Sequence, residues 1–104
     1  MKISAPEAEF ALHCRAHKLK PVAEFRFCPT RKFRADFAFP AHMILIELEG
    51  GVWMGAKGGH TSGKGLARDC EKASLAALMG YRLFRFTPET VKSGEAIQMI
   101  VEAL

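Results

Sequence analysis

Two segments, residues 33–39 (FRADFAF) and 43–49 (MILIELE), stand three residues apart, and together they restrict the fold more than any other part of the chain. The first alternates: Phe33, Ala35, Phe37 and Phe39 are expected on one face, with Arg34, Asp36 and Ala38 on the other. The second has a wholly apolar face of Ile44, Ile46 and Leu48, opposed by Met43, Leu45, Glu47 and Glu49. In a hairpin, a tight turn at Ala41-His42 puts Pro40 opposite Met43, Ala38 opposite Leu45 and Asp36 opposite Glu47. A four-residue loop gives the same register. Opposed residues share a face with Cβ atoms about 5 Å apart. Glu49 points the same way as Glu47, so three carboxylates crowd one face near the end of the hairpin.

Like charges directly opposed destabilise a sheet, and packing gives no reason to put them there. A bound cation removes the conflict. Clustered hard oxygen ligands suit Mg²⁺ or Mn²⁺, which are held by one or two carboxylates together with waters and substrate phosphates. The plainer alternative is that the glutamates are exposed edge charges that discourage strand-to-strand aggregation.

The flanking segments predict a mixed α/β (α+β) sheet covered by helices, in the order α-β-β-β-α-β-α over a single domain spanning 1–104. Ser4-Ala5-Pro6-Glu7 fits a capping box and starts a helix that runs to His17 or Lys18, ahead of Pro21. A short strand is expected over Glu24–Cys28, with Pro29-Thr30-Arg31 as its turn. Leu66–Met79 reads as a helix whose apolar side is Leu66, Cys70, Ala73, Leu75, Ala77 and Leu78, ended by Gly80 in a left-handed conformation. Tyr81–Phe86 reads as a strand and Thr87-Pro88-Glu89 as a short turn. Ser93 then caps a last helix with Ala96, Ile97, Ile100, Val101 and Leu104 on one face.

Charge and cysteine usage narrow the class. Fifteen Lys plus Arg against eleven Asp plus Glu leave +4, which mildly favours an anionic partner, nucleic acid first. The three cysteines form no C-x-x-C pair, so a reduced cytoplasmic protein is expected. No apolar run approaches the ~20 residues of a membrane span, and the start lacks a signal peptide's apolar stretch. The histidines have no metal-like spacing with cysteine or one another, so no structural zinc is supported.

The stretches Arg31–Pro40 and Ile44–Gly51, read together, resemble the catalytic core of the PD-(D/E)xK nuclease superfamily, the restriction-endonuclease-like fold. The nearest likeness is to its very-short-patch-repair-like endonucleases and small phage or bacterial relatives. Arg34-Ala35-Asp36-Phe37, Glu47-Leu48-Glu49-Gly50, Asp69-Cys70-Glu71-Lys72 and Gly80-Tyr81-Arg82-Leu83-Phe84-Arg85-Phe86 follow the superfamily's motifs in order. The likeness covers nearly the whole chain. It rests on order and spacing, since each motif alone is short and unspecific.

The resemblance implies Mg²⁺ or Mn²⁺ held by Asp36 and Glu47, with the Leu48 main-chain carbonyl as a third ligand. Glu9, in an E-x-x-L context with Leu12 set against the core, would complete the set from the first helix. Glu7 reads better as an ordinary first-turn acid. Glu49 stands where the superfamily usually has Lys, and there it would ligate metal or act as base. Lys72, on a helix, would replace the missing Lys, although an Asp/Glu/Lys group on a helix is commonly just a solvated face.

Residues 50–65 (GGVWMGAKGGHTSGKG) hold seven of the nine glycines. Gly58-x4-Gly63-Lys64 superficially resembles a phosphate-binding P-loop, but Gly65 replaces the required Ser or Thr, and nucleotide hydrolysis is set aside. A loop that closes on a nucleic-acid backbone fits better, with Lys57, His60 and Lys64 on phosphates. The resemblance further implies that His60 acts on the scissile phosphate or leaving group, the alternative being an exposed loop histidine with no role. Trp53 would either stack on a base or belong to the core. Arg34, Arg82 and Arg85 are further candidates for backbone contact, unless their stems merely cover core surface.

The expected function is a metal-dependent endonuclease acting on DNA, structure-directed because so short a chain leaves little surface for sequence recognition. A homodimer would be needed to cut both strands. The alternative is a non-catalytic nucleic-acid-binding module on the same fold.

Overall fold

A computed structural model describes residues 3–49 and 63–104, the Lys64 side chain excepted. Its elements are α1 (Ala5–Ala16), β1 (Val22–Arg26), β2 (Arg34–Phe39), β3 (Ile44–Leu48), α2 (Gly63–Leu78), β4 (Arg82–Phe86), α3 (Pro88–Ser93) and α4 (Glu95–Ala103), with a 3₁₀ turn at Pro40–His42. The strands form one sheet in the order β1-β2-β3-β4. The β1–β2 and β2–β3 pairs are antiparallel, and β4 lies parallel to β3. A parallel neighbour requires a crossover, and α2 supplies it.

The hairpin register is the expected one, with Ala38 opposite Leu45 and Phe37 opposite Ile46. Its turn is a 3₁₀ turn rather than a two-residue one, closed by Met43 in a left-handed conformation (φ 55°). β3 is buried on both faces, as suits a central strand with a parallel neighbour. On one face, Ile44, Ile46, Phe37, Phe39 and Phe86 pack with Phe10 and Cys14 of α1, Val91 of α3, and Ala96, Ile97 and Ile100 of α4. On the other, Leu45 and Ala38 pack with Phe27, Phe33, Ala35 and Ala76 of α2. The expected alternation of residues 33–39 therefore breaks, because Phe33 and Ala35 do not join Phe37 and Phe39. The change falls at Asp36, beyond the last regular β2–β3 pair.

Local sequence explains most helix limits. Ser4 and Glu7 form the capping box of α1, each accepting the other's backbone N–H. The α2 helix ends in a Schellman turn: Gly80 (φ 91°) donates its N–H to the Ala77 carbonyl and Tyr81 donates to Ala76. Thr87 caps α3, and Gly94 (φ 89°) separates it from α4, so the expected turn and last helix become two helices. Ser93 still accepts the Glu95 N–H.

Other expectations need correcting. β1 starts and ends two residues earlier than expected, so Phe27 and Cys28 are core residues beyond its end. Leu66, Cys70, Ala77 and Leu78 of α2 are exposed, whereas Ala76 is buried with Leu75 packed beside it. That helix turns Lys72 and Asp69 toward the sheet, displacing the apolar stripe. Val101 and Leu104 are also exposed, while Ala103 packs on the core.

Candidate active site

Asp36 sits where β2 and β3 stop pairing as strands. One step past Phe37↔Ile46, carboxylates replace the ladder. The Asp36 N–H donates to Glu47 Oε2 (3.3 Å), and the Leu48 N–H donates to Asp36 Oδ2 (2.7 Å). On its other side, the β1–β2 register runs from Ala23↔Phe37 to Phe25↔Ala35, which puts Glu24 opposite Asp36. Three acids thus stand abreast across three strands. Glu24 also has a left-handed backbone (φ 51°), a conformation that costs a non-glycine residue on the order of 1 kcal/mol.

The first helix adds a fourth acid. One carboxylate oxygen each from Glu7, Glu24 and Asp36 lie within 4.8 Å of one another. Sequence reasoning missed both glutamates. Glu7 already had a sufficient local role as the capping residue. Glu24 would have been visible had the β1–β2 hairpin been placed in register, since that pairing sets it against Asp36. Glu9, the expected helical ligand, instead pairs with His13 Nε2 at 2.8 Å. Leu12 is exposed, so it does not anchor Glu9; the core face of α1 runs through Phe10 and Cys14.

Burial raises the Asp36 carboxyl to about 6 from an ordinary 3.8, and the charges of Glu47 and Glu7 add to the rise; the Leu48 N–H and the Lys72 ammonium oppose it. Lys72, from α2, donates to Glu47 Oε1 at 2.6 Å, both side chains being more than four-fifths buried. A carboxylate and an ammonium removed from water this far hold their geometry firmly, because parting either leaves the other uncompensated. Glu49 is held differently. Arg85 grips it with Nε to Oε2 and Nη2 to Oε1, both at 3.1 Å, and also lies 3.9 Å from Asp69. Glu49 therefore belongs to an arginine-bridged cluster with Asp69 beside Glu47, and it is absent from the carboxylate group around Asp36.

The remaining candidates divide clearly. Arg34 lies beside the site, 3.7 Å from Glu24. Arg82 lies at the opposite end of β4, level with Ile44, where it donates to the Ala103 carbonyl at the end of α4. Lys57, His60 and Trp53 fall outside the described residues, as does the Lys64 side chain.

The donor set fits a hard divalent cation. It consists of carboxylate oxygens without sulfur or imidazole, and a cation among them would offset the burial and the repulsion that raise Asp36. The Leu48 N–H is directed at Asp36, and a strand residue's carbonyl points to the same side as its N–H, so a main-chain oxygen also faces this place. Among the described residues no helix is long and apolar enough to cross a membrane.

Beneath these side chains the fold is a mixed four-stranded sheet with helices on both faces, an α/β arrangement. A solved structure shares it: the catalytic domain of the homing endonuclease I-Bth0305I superposes with a TM-score of 0.68 over 96% of this chain and 92% of that one, at 14% identity. At that identity the likeness defines the fold. No protein-family model matches the chain, and no curated protein matches its sequence.

Proposed function

We propose that the protein is a metal-dependent endonuclease that hydrolyses DNA phosphodiester bonds, with Asp36 as its central residue. The observation that carries this is the convergence of Glu7, Glu24 and Glu47 on Asp36 from three separate elements, at a strand end where the sheet would be more stable without them. The PD-(D/E)xK resemblance and the endonuclease named by the structural neighbour support the same reaction class.

Asp36, with Glu7 and Glu24 and the Leu48 carbonyl, would hold Mg²⁺ or Mn²⁺. The ion supplies Lewis-acid polarisation of the phosphate and a more acidic water at neutral pH. Glu47 positions Asp36 through its backbone N–H and positions Lys72 through the ion pair. Lys72 sets a fixed positive charge where the phosphate gains charge in the transition state. The Arg85 grip makes Glu49 a structural partner instead of a base in this state. His60 and Lys57, outside the described residues, and Lys64, in the first turn of α2, belong to the proposal as contacts to the leaving group and backbone. Cutting is structure-directed, in a cytoplasmic protein, with a homodimer where both strands are cut.

Plasmid nicking with Mg²⁺ or Mn²⁺ tests the proposal. Wild type is expected to nick, and Asp36→Ala and Glu47→Ala to lose at least a hundredfold in rate while remaining folded. Wild-type-like cutting by either variant refutes the assignment. Salt-dependent DNA binding without cleavage in either metal would leave the non-catalytic module instead.

A further inference from the structure

The carboxylate site does not account for the basic residues that surround its approach. An open groove of about 420 Å³ runs between the start of β2 and the N-terminal half of α2, lined by Lys32, Phe33, Arg34, Arg68, Asp69 and Lys72 together with Gly65. Four of these are cations and one is an acid. Its lining includes Lys72, which holds Glu47, and Arg34, which neighbours Glu24, so the groove borders the carboxylate site.

Two of the cations are left available by the fold. Lys32 and Arg68 are exposed and have no ion pair among the described residues. The Arg68 guanidinium carbon lies over the Phe33 ring, 5.9 Å from the centroid, and that of Arg31 lies over the same ring at 4.7 Å. Arg31 also bridges to Glu71 on α2. The Arg31–Glu71 bridge joins the two walls, and Arg68, near the Phe33 ring and the Glu71 carboxylate, is exposed in the groove lining. Exposed cations that line one groove match an anionic polymer that runs past them.

We propose that Lys32, Arg34 and Arg68 form a phosphate track that leads a DNA backbone to Lys72 and Asp36, an inference that rests on the endonuclease assignment above. The track reads backbone charge: among the described residues lining the groove, the aromatic one, Phe33, is buried. Its contribution is therefore the same for all sequences. Arg34 exchanges its long contact with Glu24 for a phosphate when the strand is bound.

Fluorescence anisotropy with a short labelled DNA duplex, in EDTA so that nothing is cut, tests the track. Each lost phosphate contact should lower the slope of log K against log salt by about 0.9 and weaken binding roughly tenfold at 0.1 M salt. The double variant Lys32→Ala/Arg68→Ala should lose about 2 from the slope. Lys92→Ala, on α3 away from the groove, serves as the control and should lose nothing. Should removal of Arg68 from Phe33 unfold the domain, Lys32→Ala alone must lower the slope by about one. If wild type binds with a salt-dependent slope that both variants keep, the track is wrong while the endonuclease assignment survives. If wild type neither binds the duplex nor nicks plasmid in Mg²⁺, both are wrong.

Discussion

Replacing Asp36 by Asn should make the metal-free protein more stable while disabling its site. Asn keeps an oxygen for the Leu48 N–H and keeps the size of the side chain, but removes a charge that burial and two neighbouring acids disfavour. A carboxyl raised in the folded state from 3.8 to about 6 binds protons more tightly when folded. Its contribution to stability is therefore full below pH 4, and is lost as pH rises through 6. The shift corresponds to at most about 3 kcal/mol, and partial exposure of the site reduces this to roughly 1–2 kcal/mol. For a domain of this size that means a Tm higher by on the order of 5–10 °C at pH 7.5. Thermal melts followed by circular dichroism in EDTA, from pH 4 to 8, measure it. The Tm difference between Asp36→Asn and wild type should be near zero at pH 4 and reach its plateau above pH 6.5. Mg²⁺ should then close the gap by stabilising only wild type. A variant no more stable than wild type at pH 7.5, or a gain that does not depend on pH, would refute the argument.

Other variants probe the supports around this residue. Lys72→Met strands the Glu47 carboxylate in a largely buried position and should cost about 1–3 kcal/mol in urea unfolding, with loss of nicking; Lys72→Arg should recover most of the stability. Glu49→Gln and Arg85→Ala, combined in a double-mutant cycle, should show a coupling of about 1 kcal/mol, the size expected of a bidentate pair with one exposed partner. Gly80→Ala forces a side chain into a left-handed turn and should lower stability by on the order of 1 kcal/mol without affecting metal response, since Gly80 lies beyond the end of α2 remote from Asp36.

The parts of the fold legible in sequence were those fixed by short-range rules. The β2–β3 register followed from two period-two segments joined by a connection too short to permit alternatives, and it brought Asp36 and Glu47 together as expected. The start of α1 and the end of α2 followed from the Ser4/Glu7 capping box and from Gly80, whereas α2 begins at Gly63, three residues before its expected start at Leu66. What depended on long-range pairing was not legible. The parallel match of Glu47 with Arg85 passes through the α2 crossover, and nothing local announces that Arg85 will hold Glu49. The packing face of α2 was misread because leucine, alanine and cysteine occur around most of the helix, and a small residue, Ala76, is what fits against Leu45 and Ala38. Glu24 was hidden by a strand boundary set two residues late. Glu7 was hidden because one role, capping, had already explained it.

The central claim is that the acids around Asp36 are gathered to bind a cation. Calorimetric titration of Mn²⁺ into wild type and Asp36→Asn, both shown to be folded at pH 7.5, tests it most directly. One ion per chain is expected for wild type, with binding abolished in Asp36→Asn and weakened in Glu7→Gln. Equal binding by wild type and Asp36→Asn, or no binding by wild type, would contradict the claim.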